Sequence, residues 1–263
     1  MSEPSVYAAP TAHGSISELI RRHSANPEDV RDVALEGVNV AAADRLLDLG
    51  CGFGFMAEGL ARRAPAGTEI VGVDVNPSNE IPFVRTVGRA GCRGRFVCER
   101  LVDRLDPVAG RFSGAAASYS LYFFPGLVRS ISRILRPEGF FVAVTHREAS
   151  LRHLLDVLDL PADNAPHLAV LHRFSAETGA GLLTPWFGSV ETREYPNDLV
   201  FERADFEALL AYVRFKLPLI VRGFPLGMDV PRPIAGRAAV HLEREGRIEI
   251  AKDDRVFVCR EPR

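Results

Sequence analysis

Lysine is almost missing from this chain of 263 residues: Lys216 and Lys252 are the only two, so nearly all of the 32 basic residues are arginine. Together with the many alanines, this skew reads as the coding bias of a GC-rich genome, not as a phosphate-binding device. An excess of one charge is missing too. The 32 basic and 34 acidic residues are interleaved and leave a net charge of −2, which removes the electrostatic argument for a nucleic-acid partner. The densest arginine stretch, from Arg85 to Arg111, reads as a solvated helix face. Cysteine is sparse and unpatterned. Cys51, Cys92, Cys98 and Cys259 form no C-x-x-C pair, so reduced thiols in a cytoplasmic protein are expected. His153, His167 and His172 lack a repeated ligand spacing, and no metal is expected. No apolar run is long enough for a membrane span, and Met1 to Gly14 has neither the basic start nor the apolar stretch of a secretory signal. The expectation is a soluble cytoplasmic protein with no membrane or nucleic-acid partner.

What is present is ordinary globular material, with 47% hydrophobic and 25% charged residues, enough for a core of normal size. Ser15–His23 and Pro27–Val38 read as short helices, the second with Asn26 as a cap and Pro27 in its first turn. From Arg45 onward, strands and helices alternate. Leu46–Leu49, Ile70–Val75, Arg95–Cys98, Gly114–Tyr119 and Phe140–Thr145 are the expected strands. Met56–Ala64, Ile81–Ala90 and Leu127–Leu135 are the helices between them. That alternation implies a parallel sheet with crossover helices on both faces.

The second half differs. Leu151–Leu158 and Leu168–Leu183 read as helices, and Gly188–Tyr195 as a strand. Phe206, Leu209, Leu210, Val213 and Leu217 make one apolar stripe at helical spacing. A Pro/Gly-rich passage, Pro218 to Gly236, leads to a helix over Ile234–Arg244. Arg247–Ile250, a turn at Lys252-Asp253-Asp254 and Val256–Arg260 close the chain. The expected division is a helical segment over 1–40, a core over 41–199, a helical cap inserted over 200–246, and the final core strand over 247–263. A segment of this length before a last strand suggests a lid, closing over the sheet's carboxyl edge.

The run Leu46-Leu47-Asp48-Leu49-Gly50-Cys51-Gly52-Phe53-Gly54 sets a strand, then glycines at alternate positions, directly before a helix. Glycines there let backbone approach a ligand closely. A dinucleotide fingerprint would need glycine at Phe55, and a Walker A loop would need Gly-Lys-Ser/Thr; neither is present. The D-x-G-x-G-x-G pattern resembles motif I of class I S-adenosylmethionine-dependent methyltransferases. Val71-Gly72-Val73-Asp74-Val75 adds a strand ending in a carboxylate about twenty residues on, where an acid can accept from both ribose hydroxyls. Ile134-Leu135-Arg136-Pro137-Glu138-Gly139-Phe140 is similar to the family's L-x-P-G-G turn, with Glu138 in place of a glycine.

The resemblance implies a Rossmann-like α/β fold, with a mostly parallel seven-stranded sheet, helices on both faces and a helical cap insert before the last strand. It implies S-adenosylmethionine as cofactor and methyl transfer by in-line displacement. Carried over, Gly50 and Gly52 contact the methionine moiety, with Cys51 between them. Asp48 organises the loop and the ligand's amino group, Asp74 holds the ribose, and Val75 covers the adenine. The family's Asp-Ala after the third strand is missing. Backbone groups at Leu101 or Val102, or Asp103 from a displaced loop, replace it. Ser118, near the end of the fourth strand, is expected to join the cofactor-binding residues. His146, after the fifth strand, is a candidate general base or substrate contact, against a solvated strand-end histidine. Tyr119 and Tyr122 share that edge as catalytic candidates, against core packing. Ser118-Tyr119-Ser120-Leu121 stands where nucleic-acid methyltransferases carry N/D-P-P-Y, which favours a small-molecule acceptor. RNA or protein methylation, or a nucleoside-binding member that does not transfer methyl, are the alternatives.

Overall fold

A computed structural model describes residues 10–101, 105, 111–162 and 165–263. Its centre is a seven-stranded sheet in the order β3-β2-β1-β4-β5-β9-β6. The strands are β1 (Arg45–Leu49), β2 (Glu69–Asp74), β3 (Arg93–Cys98), β4 (Phe112–Ser118), β5 (Leu135–His146), β6 (Phe187–Tyr195) and β9 (Asp254–Pro262). Neighbours from β3 to β5 are parallel, and β9 is antiparallel to both β5 and β6. The expected fold class is therefore present. Covered on both faces, the inner strands β1, β2 and β4 are largely buried and apolar, whereas the edge strands β3 and β6 carry polar and charged residues.

Alternate residues serve opposite cores. Leu47, Leu49, Ala115, Ala117, Phe141 and Phe257 pack with α5 (Val128–Ile134), α7 (Pro166–Leu171) and α8 (Gly179–Leu183). Leu46, Ile70, Ala116, Val142 and Val256 pack with α2 (Val30–Leu35), α3 (Phe55–Arg63) and α4 (Glu80–Arg89). The helix expected over Leu168–Leu183 is in fact two, α7 and α8. Between them Ser175 and Thr178 bind each other's backbone and side chains, an alternative to the helical ladder.

A third core lies off the sheet. β7 (Asp198–Glu202) and β8 (Arg247–Ala251) pair as a separate two-stranded sheet. Leu199, Phe201, Ile248 and Ile250 from it pack with α6 (Arg152–Val157), α9 (Phe206–Ile220) and α10 (Arg232–Glu245). α1 (Pro10–His23) joins them, with the His23 ring stacked 4.5 Å from Phe201. Three expectations change here. Arg247–Ile250 belongs to the cap's own sheet, and only Asp254 onward is core strand. The stripe on α9 finds its partner in this small sheet, not in the main sheet's edge. And α9 continues through Pro218 to Ile220, although the proline has no N–H to give the Arg214 carbonyl. Among the described residues no helix is long and apolar enough to cross a membrane.

Candidate active site

Strand order reverses between β1 and β4, and ligands of open α/β sheets sit beyond the strands' carboxyl ends at such a point. There the chain leaves β1 through Gly50, Gly52 and Gly54, all with positive φ. Gly50 is obligatory twice over. Its φ is 67°, and an added Cβ would lie 2.4 Å from the Ser120 Cβ. At Gly52 (φ 50°) an added Cβ meets nothing within 4 Å, so this backbone borders open space.

Two carboxylates shape the loop. Asp48, only 1% exposed, accepts from the Ala57 N–H at 3.1 Å and so ties β1 to the first turn of α3. Burial pushes its carboxyl up to about 7, against the Ala57 bond and helped by the Asp74 charge. Asp74 ends β2. One oxygen accepts from Gly52 N–H at 2.9 Å, and the other from Asn76 N–H and the Asn79 amide at 2.8 and 3.1 Å. A carboxylate oxygen accepts about two hydrogen bonds, so the oxygen facing Gly52 keeps a free acceptor position. Val75, next in sequence, leaves its apolar side chain 38% exposed. The Ser118 hydroxyl is buried without a partner. A spare carboxylate acceptor, an exposed apolar side chain, an orphaned hydroxyl and bare glycine backbone fit a ribose, a base and an amino-acid tail. The residues present thus suit S-adenosylmethionine. Cys51 is different: its thiol turns inward against Gly72 in the second core. Burial, then the Asp48 and Asp74 charges, raise its pKa well above normal, so it packs and does not react. Leu101 is half-buried against the first core, while Val102 and Asp103 lie outside the described residues.

The second half of the site is a buried polar cluster where β4, β5 and β9 meet the cap. Asp254, fully buried, accepts from His146 Nδ1 at 2.5 Å, from the Tyr119 hydroxyl at 2.5 Å and from Lys252 Nζ at 2.7 Å. Although burial alone would raise it, Lys252 and His146 hold its carboxyl down at about 2. An ionised carboxylate only accepts, so the proton of the His146–Asp254 bond sits on Nδ1. Burial lowers the His146 pKa despite Asp254, with Lys252 and Lys216 adding to the effect. The ring is therefore neutral and its Nε2 carries the lone pair. Among the described residues Nε2 has no hydrogen bond.

Tyr119 stacks on His146 at 4.6 Å, and Lys252 Nζ lies 4.9 Å from the Tyr119 ring centroid. Its φ of 54° is uncommon outside glycine and costs about 1–3 kcal/mol, which its bonds to Asp254 and Val144 O offset. The Tyr119 hydroxyl is committed to Asp254. Tyr122, 1% exposed, belongs to the first core, in keeping with the packing reading of at least one of the two tyrosines. His167 on α7 stands 6.1 Å from His146, ring to ring, and burial above all, with the neighbouring His146 ring and the Lys216 ammonium adding to it, depresses it to about 3. Sequence reasoning missed Asp254, Lys252, Lys216, His167 and Tyr212. The lysine count singles out Lys216 and Lys252 in the sequence, but their burial appears only in the structure.

Comparison with known proteins agrees with this geometry. Residues 46–139 match a family model described as a methyltransferase domain. The chain is 34% identical over 191 residues to nocamycin O-methyltransferase from Saccharothrix syringae, covering 64% of this chain and 66% of that one. The match therefore spans just under two thirds of that relative's length. Among solved structures, the YcgJ protein of Bacillus subtilis superimposes with a TM-score of 0.57 at 15% identity, over 88% of this chain and 98% of that one. The [4+2]-cyclase SpnF does so with a TM-score of 0.56 at 18% identity, over 100% and 98%; at such identities the likeness is one of fold. The glycine loop, the strand-end acid and the matched stretch agree: residues 46–139 of the chain are a methyltransferase domain, set in the fold that it shares with these solved structures.

Proposed function

We propose that this chain transfers the methyl group of S-adenosylmethionine to an oxygen of a small-molecule acceptor, bound between the sheet's carboxyl edge and the cap. The observation that carries this reading is the His146–Asp254 pair: a neutral imidazole, fixed in its tautomer, with Nε2 unpartnered beside the cofactor end of β4. Bound cofactor supplies an electrophilic methyl on a sulfonium whose leaving group is a neutral thioether. His146 Nε2 takes the proton of the acceptor hydroxyl as its oxygen forms the new bond to carbon, and the carbon–sulfur electron pair stays on sulfur. Asp254 stabilises the imidazolium so formed, and general-base help of this kind contributes about 10²–10⁴-fold. Holding acceptor and methyl in line supplies much of the rest. Gly50, Gly52, Asp48, Asp74, Val75 and Ser118 hold the cofactor in this reading. The 34% identical relative is named an O-methyltransferase, which supports the choice of oxygen. Unpaired cysteines, three of the four buried, support a reducing cytoplasm.

The test is to incubate the protein with methyl-labelled S-adenosylmethionine and a cell extract separated into small molecules, RNA and protein. Label should enter the small-molecule fraction, and His146→Gln should lower that transfer at least 100-fold while still binding S-adenosylhomocysteine. Label recovered in RNA or protein instead, or a fully active His146→Gln, refutes the reading.

A further inference from the structure

Both lysines of the chain are buried, Lys216 7% and Lys252 8% exposed, and both act on one cluster. Lys252 donates to Asp254 at 2.7 Å. Lys216 has no such partner. Its ammonium lies 5.5 and 5.6 Å from the ring centroids of Tyr212 and Phe215, and among the described residues it makes no hydrogen bond or ion pair. Long basic side chains normally lead their charge out to water; this one ends inside. One turn earlier on the same face of α9, the Tyr212 hydroxyl is fully buried and also lacks a partner. The charges do not balance. With His146 and His167 neutral, Lys216, Lys252 and Asp254 leave one uncompensated positive charge in a cluster largely removed from solvent. A buried cation is tolerated where something pairs with it.

We infer that the acceptor carries, besides the oxygen that is methylated, an anionic oxygen held by the Lys216 ammonium and the Tyr212 hydroxyl. This rests on the acceptor site proposed above and adds the acceptor's chemical class. Specificity follows, because a neutral analogue leaves both donors and a full charge unpaired, whereas the anion satisfies all three. Burial, then the Lys252 charge, lower the Lys216 pKa to about 8 against the pull of Asp254. The group is still protonated at pH 7 and competent to bind an anion.

The lysine count makes the test unusually direct. In protein loaded with S-adenosylhomocysteine and labelled with ¹³Cε-lysine, an NMR spectrum has two lysine signals, assigned with Lys216→Met and Lys252→Met. At pH 7 it is titrated with benzoate and 2,4-dinitrophenolate, and with benzamide and 1,3-dinitrobenzene as neutral counterparts. The expected result is a saturable shift of the Lys216 signal with an anion and none with its neutral partner. Which anion acts tells a carboxylate from a phenolate-like oxygen. Lys216→Met should weaken that anion at least tenfold without lowering the thermal midpoint, since it removes an unpaired buried charge. Equal responses to anion and neutral partner, or an unmoved Lys216 signal in cofactor-loaded protein, overturn the inference and leave methyl transfer standing. If S-adenosylhomocysteine does not bind at all, the methyl-transfer reading falls and this inference falls with it.

Discussion

Replacing Asp254 with asparagine keeps the shape at the centre of the polar cluster and removes its only negative charge. Three donors converge on that carboxylate, from His146, Tyr119 and Lys252. An amide oxygen can retain one or two of them, but the buried Lys252 ammonium loses its counter-ion. Breaking a buried pair by removing one partner typically costs about 3–5 kcal/mol. Titration offers a second route to the size of the effect. The folded carboxyl sits at about 2, against an ordinary value near 3.8. A depressed carboxyl contributes stability above its unfolded pKa and loses it as pH falls through the folded one. Its share is on the order of 2–3 kcal/mol at neutral pH, lost between roughly pH 4 and pH 2. The two figures agree in order of magnitude. Urea unfolding at pH 7 should therefore show Asp254→Asn destabilised by about 3–5 kcal/mol. The double variant Asp254→Asn/Lys252→Met, with neither charge left, should recover at least about 2 kcal/mol of that loss. A single variant costing under about 1 kcal/mol, or a double variant whose loss is the sum of the singles, would refute the pairing as the source of stability.

Calorimetric titration should find S-adenosylhomocysteine bound about 10–100-fold more weakly by Asp74→Asn, the loss of one or two charge-assisted bonds, and equal affinity removes Asp74 from the site. Ser118→Ala should leave the free protein as stable or slightly more so, since its hydroxyl is buried unpaired, while weakening cofactor about fivefold; a loss of stability with unchanged binding contradicts that. Burial lowers the His146 pKa, so the base is present below the usual histidine range. The acid limb of kcat/KM should lie below about 6.5, and a limb above that value rules out a neutral buried imidazole. For cap motion the observable is hydrogen exchange across residues 217–236, which should slow when S-adenosylhomocysteine and an anionic acceptor analogue are bound; equal strong protection in both states makes the segment structural.

The glycine loop and its two carboxylates were legible in sequence because their constraints are local. Glycines at 50, 52 and 54 and acids at strand ends 48 and 74 follow from one strand–loop–helix unit and its neighbour. Cys51 lies inside the motif, and its thiol packs in the second core. Membership of the motif says nothing about which way a side chain points, and the loop's left-handed turns send this one into the core. The acceptor half is assembled from β4, β5, α7, α9 and β9, up to 135 residues apart, and no local pattern ties Asp254 to Tyr119 or Lys216 to either. Asp254 looked like part of a polar turn, because the sequence cannot show that this turn is buried. β7 went unseen because five residues next to Pro196 and Asn197 carry little periodicity of their own.

The cap's makeup bears on how such proteins diversify. Its core draws on chain before the glycine loop, between β5 and β6, and on both sides of α9 and α10. The His23 ring lies on Phe201 and bonds Val200 O, and Asn26 reaches Asn197 and Pro196. The cap is thus woven through the methyltransferase domain, not clipped onto it. Transplanting residues 200–246 alone into another scaffold moves a fragment whose apolar face was completed by α1, α6 and β8. A functional exchange of acceptor specificity must carry those segments too, or be made by point changes on α9 within the cap that is already there.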